Sequence, residues 1–439
     1  MKNPTNRPLR TSRLGERMAT AEPVITQMMR EALSKPGLLS LAAGFTDNAL
    51  LPVAEIEAAV SRLAETVPSH EFLQYGTNQG RPGLRSEIVR LLASYPGEEA
   101  LALAPEQVLV SNGSQQALYM SAQLFCDQGD IVLVESPTYF VFLELLRGMG
   151  LRPRSLPMTA EGRIDLSRLA QRFDVWNRAG ELKRVKLLYF MGTYANPSAR
   201  SWAEEDKRAL GAFLQQVPVA LPVIEDMAYR DLWFDRPAAA RSVLSLPEWE
   251  GLPALYSGTF TKPFATGLKV GYVASHCSEW IERLARIKGH QDFGSSHFNQ
   301  AILEDVLRQG VFQEYLERVR PLYHRKMEVL DEALRDEGLE TLGWRWEKPE
   351  GGLLLWALAP ENYDTAQGSP FYQACLEEGV FYVPGDLCFA EGVPSNAVRL
   401  SYGVLDEAGL REAARRFVRA ARRTPVGNGT KAKAAAADF

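Results

Sequence analysis

Residues 257–271 read Ser-Gly-Thr-Phe-Thr-Lys-Pro-Phe-Ala-Thr-Gly-Leu-Lys-Val-Gly, which sets Lys262 among small hydroxyl residues and glycines, with Lys269 seven positions later. A lysine is a nucleophile only when its amine is unprotonated, and a free lysine with a pKa of ~10.4 rarely is. Thr259, Thr261 and backbone N–H groups can bind phosphate oxygens, whose charge Lys269 can balance. The stretch predicts a site that holds an aldehyde and a phosphate together, or alternatively a surface loop with two solvated lysines.

The composition is typical of a globular protein with more than one domain. Of 439 residues, 46% are hydrophobic and 23% charged, and the formal net charge is −5. This length exceeds what one hydrophobic core usually organises, so we expect a large domain and a smaller one. The small net charge gives no indication of nucleic acid or an anionic membrane as a partner.

The cysteines and the hydropathy pattern indicate the compartment. The cysteines are widely spaced and form no Cys-x-x-Cys motif, which argues against a disulfide framework or a zinc site. No hydrophobic run reaches the length of a membrane span, and the basic N-terminus is not followed by the apolar stretch of a secretory signal. We expect a cytoplasmic protein without a bound metal. The four cysteines are Cys126, Cys277, Cys375 and Cys388.

Short apolar runs alternate with helical patterns between residues 105 and 271. This alternation predicts a mostly parallel sheet with helices on both faces. In such a sheet the ligand lies beyond the carboxyl ends of the strands, so the residues just after each run are candidate site residues. The apolar runs are residues 107–110, 130–134, 185–190, 223–224, 254–257 and 269–274.

A long helix is predicted over residues 312–336, because apolar residues recur there at helical spacing. Beyond it, apolar runs alternate with helical patterns and predict a small α+β domain. We therefore divide the chain into four parts, the last of which lacks an apolar face and is predicted to be disordered. These parts are an N-terminal arm with part of the small domain (1–55), a large ligand-binding domain (56–312), a small C-terminal domain (313–423) and a tail (424–439).

A possible phosphate cradle follows the run that ends at Val110. Gly113, Ser114 and Gln115 stand at the predicted start of a helix, where free N–H groups and the helix dipole bind anions. The local alternative is an N-cap, with Ser111 or Ser114 satisfying the first turn. The two interpretations are compatible.

Other strand ends carry polar or aromatic groups. Tyr139 can stack on a flat heterocycle, or it lies in the core or at the rim. Asn196 offers an amide on a loop stiffened by Pro197, or it is a turn residue. Glu225 and Asp226 follow the apolar run that ends at Ile224, and Tyr229 stands three residues after Asp226. A carboxylate there needs a cationic partner, because an unpaired buried charge is costly, and a protonated ring nitrogen would serve.

Together these residues resemble the class I/II aminotransferases, which are pyridoxal 5′-phosphate (PLP) enzymes of fold type I. The resemblance runs from about Leu39 to Tyr402, with the motifs in the family's order. It implies an α/β fold, in which a large domain with a mostly parallel seven-stranded sheet flanked by helices binds PLP beside a small α+β domain. It further implies that Lys262 forms the Schiff base with PLP and that Asp226 pairs with the pyridinium nitrogen.

The resemblance also implies roles for other residues. Asn196 and Tyr229 would contact the phenolic oxygen of PLP, and Tyr139 would stack on its ring. Arg399 would bind the substrate α-carboxylate, with Asn196 and Gly44 also at the substrate. The phosphate would be held by Gly113, Ser114, Gln115, Thr259, Thr261 and Lys269, with Tyr75 reaching the phosphate of the neighbouring subunit of a homodimer.

The implied activity is a ping-pong transamination between an L-amino acid and a 2-oxo acid. Asp226 would keep the ring nitrogen protonated, so that the ring accepts electrons from the substrate carbanion. Lys262 would carry the proton, and Arg399 would form two parallel hydrogen bonds to a carboxylate, although a surface ion pair is the alternative for Arg399 alone. The closest resemblance is to the branch that acts on aromatic amino acids and 2-aminoadipate, whose substrate-side loop matches residues 41–52.

Three residues depart from the family's pattern. Lys269 stands where arginine is usual, which predicts a point charge at the phosphate. Ala199 replaces a glycine after Asn196-Pro-Ser, so the local backbone is expected to differ. Pro263 removes a backbone donor directly after Lys262 and restricts that lysine.

Other functions remain open from the residues alone. The same set of groups supports a PLP-dependent lyase or amino-acid oxidase. A non-catalytic PLP-sensing module is a further alternative, but the residues before the first apolar run are fewer than the roughly 60 that we expect of a winged helix-turn-helix. A nucleotide-binding α/β protein would need a phosphate-loop or dinucleotide fingerprint, and neither follows the first strand.

Overall fold

The computed structural model describes residues 10–19, 26–27, 30, 37–66, 70–99, 101–159, 161–391 and 395–424. The strands are β1 Leu39–Ser40, β2 Val108–Asn112, β3 Ile131–Val134, β4 Arg152–Ser155, β5 Val185–Met191, β6 Val223–Asp226, β7 Ala254–Thr259, β8 Val270–Ala274, β9 Arg345–Trp346, β10 Leu354–Leu358, β11 Val380–Phe381, β12 Val383–Pro384 and β13 Ala397–Ser401. The α-helices are α1 Arg13–Ala19, α2 Val53–Thr66, α3 Pro82–Ser94, α4 Gly113–Phe125, α5 Phe140–Gly148, α6 Leu166–Arg178, α7 Glu204–Leu214, α8 Ser278–Gln291, α9 His297–Arg308, α10 Val311–Asp336, α11 Pro370–Glu378 and α12 Glu407–Arg423.

The central layer is a seven-stranded sheet in the order β2-β8-β7-β6-β5-β3-β4. The neighbours from β7 to β4 are all parallel. Strand β8 runs antiparallel to both β2 and β7. The predicted α/β fold with a mostly parallel seven-stranded sheet is therefore confirmed.

The sheet is buried on both faces, which explains its nearly continuous apolar strands. In β3, Val132 and Val134 belong to one hydrophobic cluster, whereas Ile131 and Leu133 belong to another. Successive side chains of a strand point to opposite faces, so the two clusters lie on opposite sides of the sheet. Helices cover both faces, as the alternation in the sequence predicted.

Strand β4 was not predicted, and its position explains why. Its sequence is Arg-Pro-Arg-Ser, and it pairs only with β3, at the edge of the sheet. An edge strand needs hydrogen bonds on one side only, so it tolerates proline and charged residues that a central strand would not. Helix α6 and the two-residue strand β9 were also missed.

The second half of the chain forms a smaller antiparallel sheet, in the order β12-β13-β10-β9. Arg399 lies in the middle of β13, opposite Trp356 on one side and Val383 on the other. Strand β1 pairs in parallel with β11, and the Leu41 carbonyl accepts a hydrogen bond from the Ser401 N–H. These pairings bring the loop after β1 next to Arg399.

The predicted long helix corresponds to α10, and its residues at helical spacing are buried, namely Leu316, Val319, Tyr323 and Met327. The large sheet falls within residues 56–312 and the small sheet within 313–423, but the division into domains stays a prediction. The predicted disordered tail lies, after Thr424, outside the described residues. Within the described ranges, no helix is both long and apolar enough to cross a membrane.

Candidate active site

A cavity of about 190 Å³ lies beyond the carboxyl ends of β3, β5, β6 and β7. Almost all of the predicted site residues line it, although they come from widely separated parts of the chain. Parallel strands deliver their carboxyl ends to one edge of the sheet, which is why these residues meet. The predicted residues that line the cavity are Gly44, Gly113, Ser114, Gln115, Tyr139, Asn196, Asp226, Tyr229, Thr259, Thr261, Lys262, Lys269 and Arg399.

Asp226 is the last residue of β6 and is 2% exposed. Its carboxylate accepts hydrogen bonds from the Tyr189 hydroxyl at 2.9 Å and from the Ala228 N–H at 3.1 Å. Burial raises the pKa of Asp226 to about 6, although these two donors lower it. No lysine or arginine of the described chain forms a salt bridge with Asp226, so the carboxylate lacks the cation that burial demands.

Lys262 also lines the cavity, just after β7. Its Nζ donates a hydrogen bond to the Gly44 carbonyl at 2.5 Å. Burial lowers the pKa of Lys262 to about 8, and the nearby cations Arg399 and Lys269 lower it further. Roughly half of the amine is therefore unprotonated near pH 8, where a free lysine is almost fully charged, and the unprotonated form is the one that a nucleophile or proton acceptor requires.

Arg399 brings a cation to the cavity from β13 of the small sheet. It is 2% exposed, and its Nη1 and Nη2 donate to Asn196 Oδ1 at 3.1 Å and to the Ala42 carbonyl at 2.5 Å. Its Nε is buried without a hydrogen-bond partner. Among the described residues no carboxylate pairs with this guanidinium, so the surface ion pair considered above does not occur. The site is therefore ready to bind an anion.

Two tyrosines complete the walls of the cavity. Tyr139 follows β3, and burial raises the pKa of its hydroxyl above the ordinary range. Burial also raises the pKa of Tyr229 to about 12, while Arg399 and a hydrogen bond with Asn196 lower it. Both hydroxyls therefore stay protonated at neutral pH and are available as hydrogen-bond donors.

The residues of the predicted phosphate cradle lie at the start of α4 and line the cavity. Gly113 has φ +67°, and a Cβ on Gly271 of β8 would lie 2.5 Å from the Gly113 carbonyl carbon. Glycine at 271 thus lets β8 approach the helix start. Gln115 Oε1 is buried without a partner, and the Thr259 hydroxyl donates to Thr261 Oγ1 at 2.9 Å. These hydroxyl, amide and N–H groups fit a phosphate.

The three departures from the family's pattern have different local consequences. Lys269 has φ +56°, a left-handed conformation that is uncommon outside glycine, and its side chain lines the cavity. Ala199 has φ +59°, so the backbone keeps a conformation that favours glycine even though alanine stands there. Pro263 is buried beside Lys262 and leaves the lysine side chain facing the cavity.

Several cavity residues were missed by the sequence analysis. Tyr189 lies in β5 and contacts Asp226, so it supports the site without lining it. The sequence does give one indication of this contact, because a tyrosine hydroxyl in a strand buried on both faces needs a hydrogen-bond partner. The first turn of helix α5 contributes Phe140 and Val141 to the cavity wall, and no sequence motif indicates this contribution. The unpredicted lining residues are Phe45, Asn112, Phe140, Val141, Met191 and Ala228.

Tyr75 does not line the cavity of its own chain. Its side chain is 85% exposed, and its ring meets that of Phe293, 65% exposed, edge to face at 5.9 Å. The described residues also contain no cluster of three or more histidine, cysteine, aspartate or glutamate side chains that could hold a metal ion.

Comparison with known proteins gives concordant results. The 2-aminoadipate transaminase of Thermus thermophilus is 33% identical over 88% of this chain and 90% of that protein, and the aromatic-amino-acid aminotransferase 1 of Thermococcus litoralis is 27% identical over 87% of each. The crystal structure of the α-aminoadipate aminotransferase of T. thermophilus, complexed with N-(5′-phosphopyridoxyl)-L-leucine, matches with a TM-score of 0.79 and 30% identity over 94% of this chain and 97% of that one. The model of the family described as aminotransferase class I and II matches residues 37–417, and the chain therefore belongs to this family of PLP-dependent enzymes.

Proposed function

We propose that this aminotransferase interconverts an L-amino acid and its 2-oxo acid in a ping-pong reaction, with the cavity residues in the roles described below. One observation carries the proposal. The cavity joins a buried carboxylate without a cation, Asp226, to a buried guanidinium without a carboxylate, Arg399, beside the easily deprotonated amine of Lys262. Two unpaired buried charges are costly. A cationic heterocycle would pair with Asp226, and the carboxylate of an amino-acid substrate would pair with Arg399.

The residues present fit PLP. Asp226 would pair with the ring nitrogen, Tyr139 would stack on the ring, and Asn196 and Tyr229 would hydrogen-bond the ring oxygen. The phosphate would be held by Gly113, Ser114, Gln115, Thr259, Thr261 and Lys269. When bound, PLP supplies an electron sink that stabilises the carbanion formed at the substrate Cα.

Lys262 is the proposed general base. Its Nζ, with the pKa lowered to about 8, accepts the proton from the substrate Cα and later returns a proton to the bound molecule. Arg399 and Lys269 favour this neutral state by their charge, so the groups that hold anions also tune the base. Burial excludes water that would otherwise compete for the proton.

Arg399 is the proposed carboxylate site for both half-reactions. An amino acid and its 2-oxo acid share the α-carboxylate, so one guanidinium orients both molecules against Lys262. Asn196 holds the guanidinium through its Oδ1 and faces the same space. Gly44 lies at the substrate side, where its carbonyl accepts from Lys262 Nζ.

The substrate side chain is proposed to be aromatic or that of 2-aminoadipate. Two similar proteins carry names for these activities. The rest of the cavity wall supports an apolar contact, because Phe45, Phe140 and Val141 line it. All four cysteines are free, which supports a reducing compartment such as the cytoplasm.

We also propose a homodimer with shared active sites. Leu73, Tyr75 and Phe293 are large apolar or aromatic side chains, each more than 60% exposed. Such a patch is typical of an interface, and a two-fold axis would bring Tyr75 to the neighbouring subunit's phosphate site.

The reaction type is tested by a single half-reaction. Holoenzyme given an amino acid without an oxo-acid acceptor should release one equivalent of oxo acid per site and stop, with bound PLP converted to pyridoxamine 5′-phosphate. Cofactor absorbance and oxo-acid assay measure both quantities. Continued turnover with release of ammonia or consumption of oxygen would instead indicate a lyase or an oxidase. Lys262→Ala serves as the control and should abolish the conversion.

Arg399→Ala should raise the KM for the amino acid and the oxo acid alike, by about 100-fold, because two charge-assisted hydrogen bonds to the carboxylate are lost. PLP binding should be unaffected. Arg399→Lys keeps the charge but not the geometry for two parallel hydrogen bonds, so its KM values should lie between those of the wild type and of Arg399→Ala. Steady-state kinetics with both substrates measure the effect, and an unchanged KM in Arg399→Ala would refute the role of this arginine.

Tyr75→Phe should weaken PLP retention by about fivefold, because one hydrogen bond to the phosphate is lost. Gel filtration should give a dimer for both the wild type and the variant, while dialysis against buffer measures the cofactor loss. Leu14→Ala, at an exposed site outside this patch, is the matched control and should retain PLP normally. A fully active monomer would contradict the shared site.

A further inference from the structure

Glu135 follows β3 directly, is 4% exposed and has no role in the mechanism above. Its Oε2 accepts hydrogen bonds from the Met191 backbone N–H at 3.2 Å and from Trp202 Nε1 at 2.8 Å. Met191 and Trp202 bracket the segment 192–201. One carboxyl oxygen therefore ties together the two ends of the segment that contains Asn196.

The hydrogen bonds continue from this segment to the substrate site. The backbone N–H of Trp202 donates a hydrogen bond to the Gly192 carbonyl at 3.1 Å and so joins the two ends of the segment. The Asn196 N–H lies 3.2 Å from the sulfur of Met191, which lines the cavity. Asn196 Oδ1 then accepts from Arg399 Nη1 at 3.1 Å. An unbroken path leads from Glu135 to the proposed carboxylate site.

We propose that Glu135 is a positioning residue for substrate binding. Its Oε2 accepts two hydrogen bonds that fix Met191 and Trp202, so that Asn196 holds Arg399 in its binding orientation. The proposal rests on the role of Arg399 proposed above and deepens it. Glu135 itself does not line the cavity, and its effect on the substrate passes through the segment 192–201.

The surroundings of Glu135 support a neutral carboxyl. Burial raises its pKa to about 8, nearby Asp226 raises it further, and the two N–H donors lower it only in part. The Tyr189 hydroxyl is another titratable group that interacts with it. Its Oε1 has no hydrogen-bond partner. Glutamine is also neutral and keeps one oxygen that can accept both hydrogen bonds. A glutamine at position 135 should therefore keep Met191 and Trp202 in place.

The test compares Glu135→Gln with Glu135→Leu in the holoenzyme. The leucine variant removes the acceptor at similar volume and should raise the KM for the amino acid and the oxo acid by about 20-fold, since two hydrogen bonds are lost. Its kcat should change less than about threefold, because Lys262 and Asp226 are untouched. Glu135→Gln should restore both KM values to within about threefold of the wild type.

A KM in Glu135→Leu equal to that of the wild type would overturn the proposal, and so would a glutamine variant as impaired as the leucine variant. If Glu135→Leu fails to fold by circular dichroism, Trp202→Phe carries the test. It removes one donor and should raise both KM values about fivefold, so unchanged values would again overturn the proposal.

Arg399→Ala, measured in parallel, separates this proposal from the proposed function. A normal KM in that variant would refute the carboxylate role of Arg399, whatever Glu135 does. A raised KM in Arg399→Ala together with normal values in the Glu135 and Trp202 variants would refute the positioning role alone.

Discussion

Burial of charged groups at one edge of the sheet is the constraint on which the site depends. Burial is the largest cause of the shifted pKa at Asp226, at Lys262 and at Arg399. Each group is less stable in its charged form there than in water, so each interacts more strongly with a complementary ligand than an exposed group would. The same burial that costs folding energy thus gives the cavity its affinity and its reactive lysine.

The topology of the sheet makes this arrangement possible. Parallel strands deliver Asp226 and Thr259 to one edge, while β8 returns antiparallel and sets Gly271 against the start of α4. The small sheet contributes Arg399 from β13, and the pairing of β1 with β11 fixes the loop with Gly44. Each part of the site therefore comes from a different segment, held in place by main-chain hydrogen bonds.

Many of the cavity residues were predictable from the sequence, because apolar runs indicate the strands and the site residues stand at or just after the ends of those runs. Asp226 stands two residues after the apolar run that ends at Ile224, and its need for a cation follows from this place at a buried strand end. Contacts between distant segments were not predictable in this way. The hydrogen bond from Tyr189 to Asp226, and that from Trp202 to Glu135, join residues whose proximity only the folded sheet decides. Edge strand β4 was missed because its charged residues and proline are typical of a loop.

The protonation of Lys262 in the cofactor-free enzyme is the most direct test of whether the buried site prepares its own base. The rate at which PLP reacts with this amine, followed by absorbance, should rise with pH and level off above about 8, because burial and the two neighbouring cations disfavour the charged amine. Lys262→Ala provides the blank. A rate that keeps rising toward the ~10.4 of a free lysine would contradict the claim that the buried site prepares its own base.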